Sequence, residues 1–151
     1  MNDLIDTWQI HNRINNYLLA AITDEALLLG IGRGRNAAEQ FAHIHNVRLM
    51  WLKASAPELF ATQTKIEKGE NLSREFLTQR LNESGDAIAS MLETALAAGK
   101  LKGFKPHPAA FLGYMISHES HHRGQITQSL KHAGYKIDAK VLYGLWEWGS
   151  R

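Results

Sequence analysis

Apolar residues recur every three or four positions along most of the 151-residue chain, and this spacing limits the possible folds more than any other feature. It is clearest in residues 3 to 22, where the repeating positions are Leu4, Trp8, His11, Asn15, Leu18 and Ile22. Such spacing places side chains on one face of an α-helix. The alternation of apolar and polar residues that is typical of a half-buried strand does not occur in the sequence. The chain is therefore predicted to be all-α.

The periodicity and its end signals predict four long helices. The first covers residues 3 to 22 and the second covers about 35 to 54. The third begins after Ser73, whose hydroxyl can cap a first turn, and ends at Gly99, which suits a left-handed cap. The fourth runs from Pro108, which is tolerated in a first turn, to about residue 132.

The remaining segments read as connections and a tail. Residues 23 to 34 form a loop whose stretch "GIGRGR" lacks the preceding strand of a phosphate-binding loop and is predicted to be a turn. Ser55 to Leu72 is polar and mixed, so it is predicted to be a long connection. Gly134 ends the fourth helix, and Asp138 can cap a short final helix. The pattern as a whole predicts a four-helix bundle with a short C-terminal helix, forming one domain over residues 1–151.

Composition excludes several classes of function. The sequence contains no cysteine, which rules out disulfides, thiolate metal ligands and a thiol nucleophile supplied by the protein. A formal charge of +2 with scattered basic residues gives no footprint for nucleic acid or an anionic membrane. No apolar run is long enough to span a bilayer, and the N-terminus lacks the pattern of a secretory leader. We therefore expect a cytoplasmic protein with neither a nucleic-acid nor a membrane partner.

The stretch "SHESHHRGQI", residues 117 to 126, places histidines within an otherwise apolar helix. His118 and His122 are four residues apart and continue the seam of Phe111 and Met115, so both imidazoles can reach one metal ion. Coordination would satisfy two buried rings that otherwise need polar partners. His121 points about 100° away from His122 and is predicted to lie outside the site.

A third donor is expected from a facing helix, and the second helix offers His43 and His45. Residues two apart in a helix point about 200° apart, so at most one of the two can face the bundle axis. The helical wheel favours His45 slightly, because its neighbours on the wheel are apolar. The pattern alone leaves the choice open.

Four segments carry a resemblance to a known family: "HIHNVRLMWL", "FKPHPAAF", "ISHESHHRGQI" and "YGLWEWG". The chain resembles, over nearly its whole length, the DinB family of damage-inducible, YfiT-like helical bundle proteins. The resemblance implies a divalent metal ion, such as zinc, nickel or iron, held by one histidine of the second helix and an H-x-x-x-H pair of the last long helix. In that family the second-helix ligand stands eight residues before an aromatic residue, here Trp51, so the implied ligands are His43, His118 and His122. A homodimer is implied as well.

Three neutral nitrogen donors leave a coordination position open, as in catalytic metal sites. The resemblance implies, for some relatives, transfer or isomerisation reactions that use a low-molecular-weight thiol such as bacillithiol, mycothiol or glutathione. The lack of cysteine agrees with a thiol cosubstrate and equally with hydrolysis. We therefore expect a metal-dependent thiol S-transferase or hydrolase acting on a small molecule in stress or detoxification. The alternative is a non-catalytic metal-binding module for stress-related interactions. No catalytic residue can be identified from the sequence.

Other polar residues of the four helices have competing interpretations. Glu119 and Arg123 are four apart in the order that favours an ion pair, which predicts a structural contact. Alternatively, Glu119 or Gln125 accepts the free N–H of a ligand imidazole. Three more histidines, His11, His107 and His132, are predicted to be structural, with lining of the pocket as the alternative for His11. The four tryptophans are predicted to be core or interface residues, with walling of the site as the alternative: Trp8, Trp51, Trp146 and Trp148.

Overall fold

The computed structural model describes residues 2–151, which form a bundle of helices. In chain order these are α1 (Asn2–Ala20), α2 (Asp24–Leu27), α3 (Ala37–Ser55), α4 (Pro57–Phe60), α5 (Arg74–Ala98), α6 (Pro108–His132) and α7 (Ala139–Gly144), followed by a 3₁₀ turn, Trp148–Ser150. None of the helices within residues 2–151 is both long and apolar enough to cross a lipid bilayer. The all-α prediction, with four long helices and a short C-terminal one, is confirmed.

The capping residues act largely as the sequence predicts. The hydroxyl of Ser73 accepts a hydrogen bond from the backbone N–H of Phe76 at the start of α5. Gly99 ends that helix with a φ of 70°, in the left-handed region. Asp138 caps α7 by accepting from the N–H of Lys140. Each of these contacts satisfies a backbone group that the helix end leaves without a partner.

Two short helices lie in segments that were predicted to be loops. In the first connection, the hydroxyl of Thr23 accepts from the N–H of Ala26 and begins α2. In the second, Pro57 stands at the start of α4, where its missing N–H costs no hydrogen bond. A four-residue helix has too few positions to show a periodic pattern, so these two helices could not be predicted from periodicity. The first long helix also ends at Ala20 rather than at residue 22.

The long helices enclose two separate apolar clusters. One cluster includes Leu18 of α1, Phe41 of α3 and Ile126 of α6. The other lies towards the opposite end of the bundle and includes Trp8 of α1 and Phe111 of α6. Six of the buried polar residues fall between the stretches that supply the two clusters; these residues are His11, Asn12, Asn15, Arg48, Ser84 and Glu119. A polar layer therefore crosses the middle of the bundle.

An ion pair between Arg48 and Glu119, both fully buried, forms the centre of this layer. Nε and Nη2 of Arg48 donate to the two carboxylate oxygens over 2.7 and 2.8 Å. His11 Nε2 and Asn15 Nδ2 of α1 also lie 2.8 and 2.7 Å from the same oxygen, Oε2. Burial by itself raises the pKa of Glu119, but the charge and hydrogen bonds of Arg48 outweigh it and hold that pKa well below its usual range. The carboxylate is therefore ionised and fully paired.

The remaining donors of Arg48 make a further contact with α1 and connect the layer to α5. Nη1 donates to the side chains of Asn12 in α1 and Ser84 in α5, and to the carbonyl of Leu81. All four long helices thus contribute to one hydrogen-bonded group. Such a group tolerates few alternative arrangements, because a displaced helix leaves a buried charge or donor without a partner.

The ion pair expected between Glu119 and Arg123 is not the one that forms. Arg123 instead donates to Asn15 Oδ1 over 2.6 Å and to the hydroxyl of Ser120 over 2.9 Å. The prediction considered only neighbours on the same helix, whereas Arg48 is 71 residues away in the sequence. A buried carboxylate is stabilised more by the two parallel N–H donors of an arginine on a facing helix than by a single donor of an arginine on its own helix.

The other structural histidines and the tryptophans take varied positions. His107 caps α6, its Nδ1 accepting from the N–H of Ala110 over 3.1 Å. His132 Nδ1 lies 2.9 Å from the carbonyl of Gln128 in the last turn of the same helix. Trp8 is fully buried in the core, whereas Trp146 is 82% exposed.

Loss of Arg48 should destabilise the protein strongly. The Arg48→Met variant leaves the Glu119 charge buried without its partner, and we expect the free energy of unfolding in urea to fall by about 3–5 kcal/mol. Adding Glu119→Gln removes that charge and should recover part of the loss. The matched control is Arg80→Met, which breaks the partly exposed pair with Glu83 and should cost about 0–1 kcal/mol. Equal losses for the Arg48 and Arg80 variants would contradict the central position given to the buried pair.

Candidate metal centre

Three histidine rings from two helices meet beside the polar layer. His43 comes from α3, and His118 and His122 come from successive turns of α6. The ring centroid of His122 lies 4.5 Å from that of His43 and 4.6 Å from that of His118. One nitrogen of each ring lies within 4.8 Å of the others, so the three side chains could hold one metal ion. The structure thus brings together the three predicted ligands, and their binding of a metal stays a prediction.

His45, the other candidate of the second helix, is turned away from this cluster. It is fully buried, and its Nε2 lies 2.8 Å from the carbonyl of Thr64 in the connection that follows α4. The apolar neighbours that favoured His45 on the helical wheel, Ala38, Phe41 and Leu52, are buried, as His45 is. The helix α3 is buried on several sides, so the wheel could not tell which side faces α6.

The hydrogen bonds of His122 determine which of its nitrogens is free to coordinate. Its Nδ1 lies 2.8 Å from Oε1 of Gln40 and 3.0 Å from Oε1 of Gln125. Because both neighbours are acceptors, Nδ1 carries the proton and donates it. In the neutral ring the lone pair then resides on Nε2, which is the nitrogen that points at the other histidine of α6.

The distance between the two α6 rings suits a shared cation. Nε2 of His122 and Nε2 of His118 are 3.1 Å apart. Two ligands of a tetrahedral ion with metal–nitrogen bonds of about 2.0–2.1 Å have nitrogens about 3.3 Å apart. Without a cation, the same approach requires that His118 donate a proton to the lone pair of His122. The rings are therefore arranged so that little movement would be needed to bind a metal ion.

The two residues proposed as hydrogen-bond partners of the ligands have different environments. Gln125 contacts His122, but the carboxylate of Glu119 is bonded to Arg48, His11 and Asn15 instead. Gln40, which was not predicted from the sequence, is 7% exposed and lies 82 residues from the histidine it contacts. Its only signal was a polar side chain among the apolar residues at the start of α3.

Burial keeps the three rings neutral. Burial is the largest cause and, together with the neighbouring rings of His118 and His43, it lowers the pKa of His122 to about 4. Burial is also the largest cause of the lowered pKa values of His43 and His118. At neutral pH all three imidazoles are therefore in the form that has a free lone pair. His118 Nδ1 is buried and has no hydrogen-bond partner within the described residues.

The cluster opens to the surface beside His43 and is bordered by aromatic residues beside His118. His43 and His118 are half-buried, and a cavity of about 550 Å³ extends to His43. On the other side Tyr114 stacks on His118, with ring centroids 6.2 Å apart and planes 15° apart. Tyr114 in turn packs against Trp51 and other aromatic residues. His121 is exposed, in agreement with its predicted place outside the site.

The lowered pKa of His122 predicts the behaviour of the metal-free protein on acidification. Unfolding exposes a ring with an ordinary pKa near 6.5, so between about pH 6.5 and 4 the unfolded chain binds more protons. The stability contributed by the neutral ring of His122 is thus complete above pH 6.5 and is lost as the pH falls through about 4. Long-range ¹H–¹⁵N NMR should show the Nδ1–H tautomer of His122 persisting to about pH 4. A midpoint near 6.5 would contradict the arrangement.

Comparisons with known proteins agree with the fold. The chain can be superposed on the crystal structure of a DinB-like protein from Bacillus cereus ATCC 10987, determined at 2.01 Å resolution, with a TM-score of 0.70. The two share 21% sequence identity, and the superposition covers 92% of this chain and 96% of that one. At this identity the likeness shows a common fold. No curated protein matches the sequence.

The family assignment rests on the sequence itself. The model of the DinB family matches residues 1–146, which includes every long helix and all three clustered histidines. A match over this share of the chain confirms the resemblance that its motifs suggested. The protein belongs to the DinB family.

Proposed function

We propose that the protein binds one divalent transition-metal ion through His43, His118 and His122 and uses it as an enzyme on a small molecule. The observation that supports this most directly is the 3.1 Å approach of the His118 and His122 Nε2 atoms, with the ring of His43 beside them. Three imidazoles without a single thiolate suit zinc, nickel or iron. Their neutral state at physiological pH removes the competition of protons for the lone pairs.

The number of ligands supports catalysis over a purely structural role. Within residues 2–151, the cluster of possible ligand atoms contains these three histidines and no fourth His, Asp or Glu side chain. Catalytic zinc sites have three protein ligands and a position for water or substrate, whereas structural sites have four protein ligands. A bound ion in such a site lowers the pKa of water to about 7 or ionises a thiol.

The residues of the chain would supply binding and orientation. The hydrogen bonds from His122 to Gln40 and Gln125 hold its ring in one orientation. The aromatic wall of Tyr114, Trp51 and Phe104 offers an apolar surface beside His118 and excludes water from that side. Since the chain has no cysteine, a reaction at sulfur needs a thiol brought by a second substrate. We therefore propose a thiol S-transferase or a hydrolase.

One observation favours the alternative, a non-catalytic metal-binding module. Glu119 is the acidic residue next to the cluster in sequence, and its carboxylate is fully engaged with Arg48 in the bundle interior. It cannot serve as a proton acceptor at the site without breaking that pair. An enzyme built on this centre must therefore take its base from the substrate or from solvent bound at the ion.

The first test combines metal content with turnover. Protein purified without an affinity tag should contain about one equivalent of a divalent metal by elemental analysis, and His122→Ala should lose it. The matched control is His121→Ala, which replaces an exposed neighbour and should keep the metal. Conjugation of a small electrophile to bacillithiol, mycothiol or glutathione, or hydrolysis of a small ester, should stop on chelation and resume when the ion is restored. A loaded protein without any turnover would support the binding module, and wild-type protein unable to bind metal would overturn both readings.

The second test concerns the orientation of His122. Replacing Gln40 by alanine removes the acceptor at 2.8 Å, and we expect the metal affinity to fall by roughly 10–100-fold. Gln40→Glu keeps an acceptor oxygen and should retain affinity. Gln128→Ala, three residues beyond Gln125 on the exposed side of α6, is the control. Competition titrations with a chromophoric chelator measure all four proteins, and an unchanged affinity for Gln40→Ala would show that the contact does not support the ligand.

A further inference from the structure

We infer that the cavity beside His43 binds a carboxylate or phosphate group of the substrate, through the side chains of Arg33 and Arg35. This inference rests on the proposed function, because it takes the cation held by His43, His118 and His122 as the place where the other end of the substrate reacts. The cavity measures about 550 Å³, and both arginines and His43 line it. That volume is suited to a small organic molecule.

The walls of the cavity are built by two connections fastened to α3. The turn before α3 packs closely on its first residues: a Cβ on Gly30 would come within 3.0 Å of the Cα of Asn36. Gly32 has a φ of 58°, which a side chain would disfavour. The backbone N–H of Ala37 also donates to the carbonyl of Leu29 over 3.1 Å. The turn therefore carries Arg33 and Arg35 to a defined edge of the cavity.

The opposite wall is the connection between α4 and α5. Asn46 of α3 holds it by two hydrogen bonds to the backbone of Ile66, over 2.9 and 3.0 Å. Residues 66 to 72 then line the cavity across from the turn. Between the two walls, one face of α3 forms the floor, which includes Ala42 and His43.

The basic side chains in these walls lack partners, whereas the acidic ones have them. Among the described residues, no hydrogen bond or ion pair is made by the side chains of Arg33, Arg35 or Lys68. The three lining carboxylates are engaged locally. Glu39 accepts from the N–H of Asn36, Glu70 accepts from the N–H of Glu67, and Glu67 pairs with Lys65 over 3.4 Å. The cavity therefore offers three cationic side chains without partners, and among the described residues one of its three carboxylates, Glu67, is paired with a cation.

Electrostatics at His43 point in the same direction. The positive charge of Arg35 is near enough to contribute to the lowered pKa of that ring, second to burial. A basic side chain there also opposes the charge of a metal ion on neutral ligands. An anion bound between them would be attracted by both charges, and guanidinium groups match carboxylate and phosphate oxygens with two parallel hydrogen bonds. The GIGRGR turn would act through these side chains, and not as a backbone phosphate loop.

The test is an NMR titration of metal-free and zinc-loaded protein with two probes, succinate and inorganic phosphate. We expect at least one probe to give saturable shifts at the backbone amides of Arg35, Asn36 and His43. The Arg33→Gln/Arg35→Gln variant should weaken that binding by roughly tenfold or more. Lys100→Gln, an exposed change at the far end of α5, should leave it unchanged. The probe that binds more tightly identifies the anionic group.

Two outcomes would overturn the inference. The first is that neither probe produces saturable shifts at these amides. The second is that the double variant binds the tighter probe as well as the wild type does. Zinc affinity, measured in the same samples, separates this failure from that of the proposed function. Zinc binding that is intact in the double variant while anion binding is lost supports the inference. Wild-type protein that binds no zinc would overturn the proposed function and, with it, the substrate role of the cavity.

Discussion

The buried ion pair between Arg48 and Glu119 is the constraint on which the arrangement of this bundle depends. Two charges removed from water are tolerated only where their hydrogen bonds are complete, and here the partners come from all four long helices. In other proteins, apolar side chains of similar size often replace such a pair with little loss of stability, so we expect the pair to contribute chiefly to the arrangement of the helices. Since His118 adjoins Glu119 and His43 lies five residues before Arg48, fixing the pair also fixes the rings opposite one another.

The same pair determines the charge of the histidine cluster. Arg48 neutralises Glu119 within the core, so this carboxylate is not available to balance a cation at His43, His118 and His122. A divalent ion there would keep nearly its whole charge, because all three imidazoles are neutral at physiological pH. Such an ion attracts anionic ligands strongly, whether hydroxide, thiolate or the oxyanion of a substrate. The two adjacent polar groups therefore differ in role: the ion pair holds the helices together, and the histidine cluster would hold a cation whose charge no nearby carboxylate neutralises.

Much of the fold was predictable from the sequence, but the contacts between helices were not. Periodicity gave the long helices, and the four-residue spacing placed His118 beside His122. No spacing rule connects Arg48 to Glu119 over 71 residues, or Gln40 to His122 over 82. These contacts depend on how the faces of α3 and α6 meet. For the same reason the wheel could not separate His43 from His45: α3 buries one histidine against α6 and the other against a connection.

The three rings of the cluster are supported unequally, and this bears on what the site can do. His122 is held by two glutamines, whereas Nδ1 of His118 is buried without a partner among the described residues. If Nε2 of His118 coordinates an ion, Nδ1 carries the proton, and leaving this buried N–H without an acceptor costs about 1–3 kcal/mol. A closed structural site would gain from removing this cost. An ion held by one fixed ring and two less constrained ones would instead exchange its other ligands more readily. The uneven support of the three rings is therefore what we expect of the proposed catalytic site rather than of a permanent structural ion.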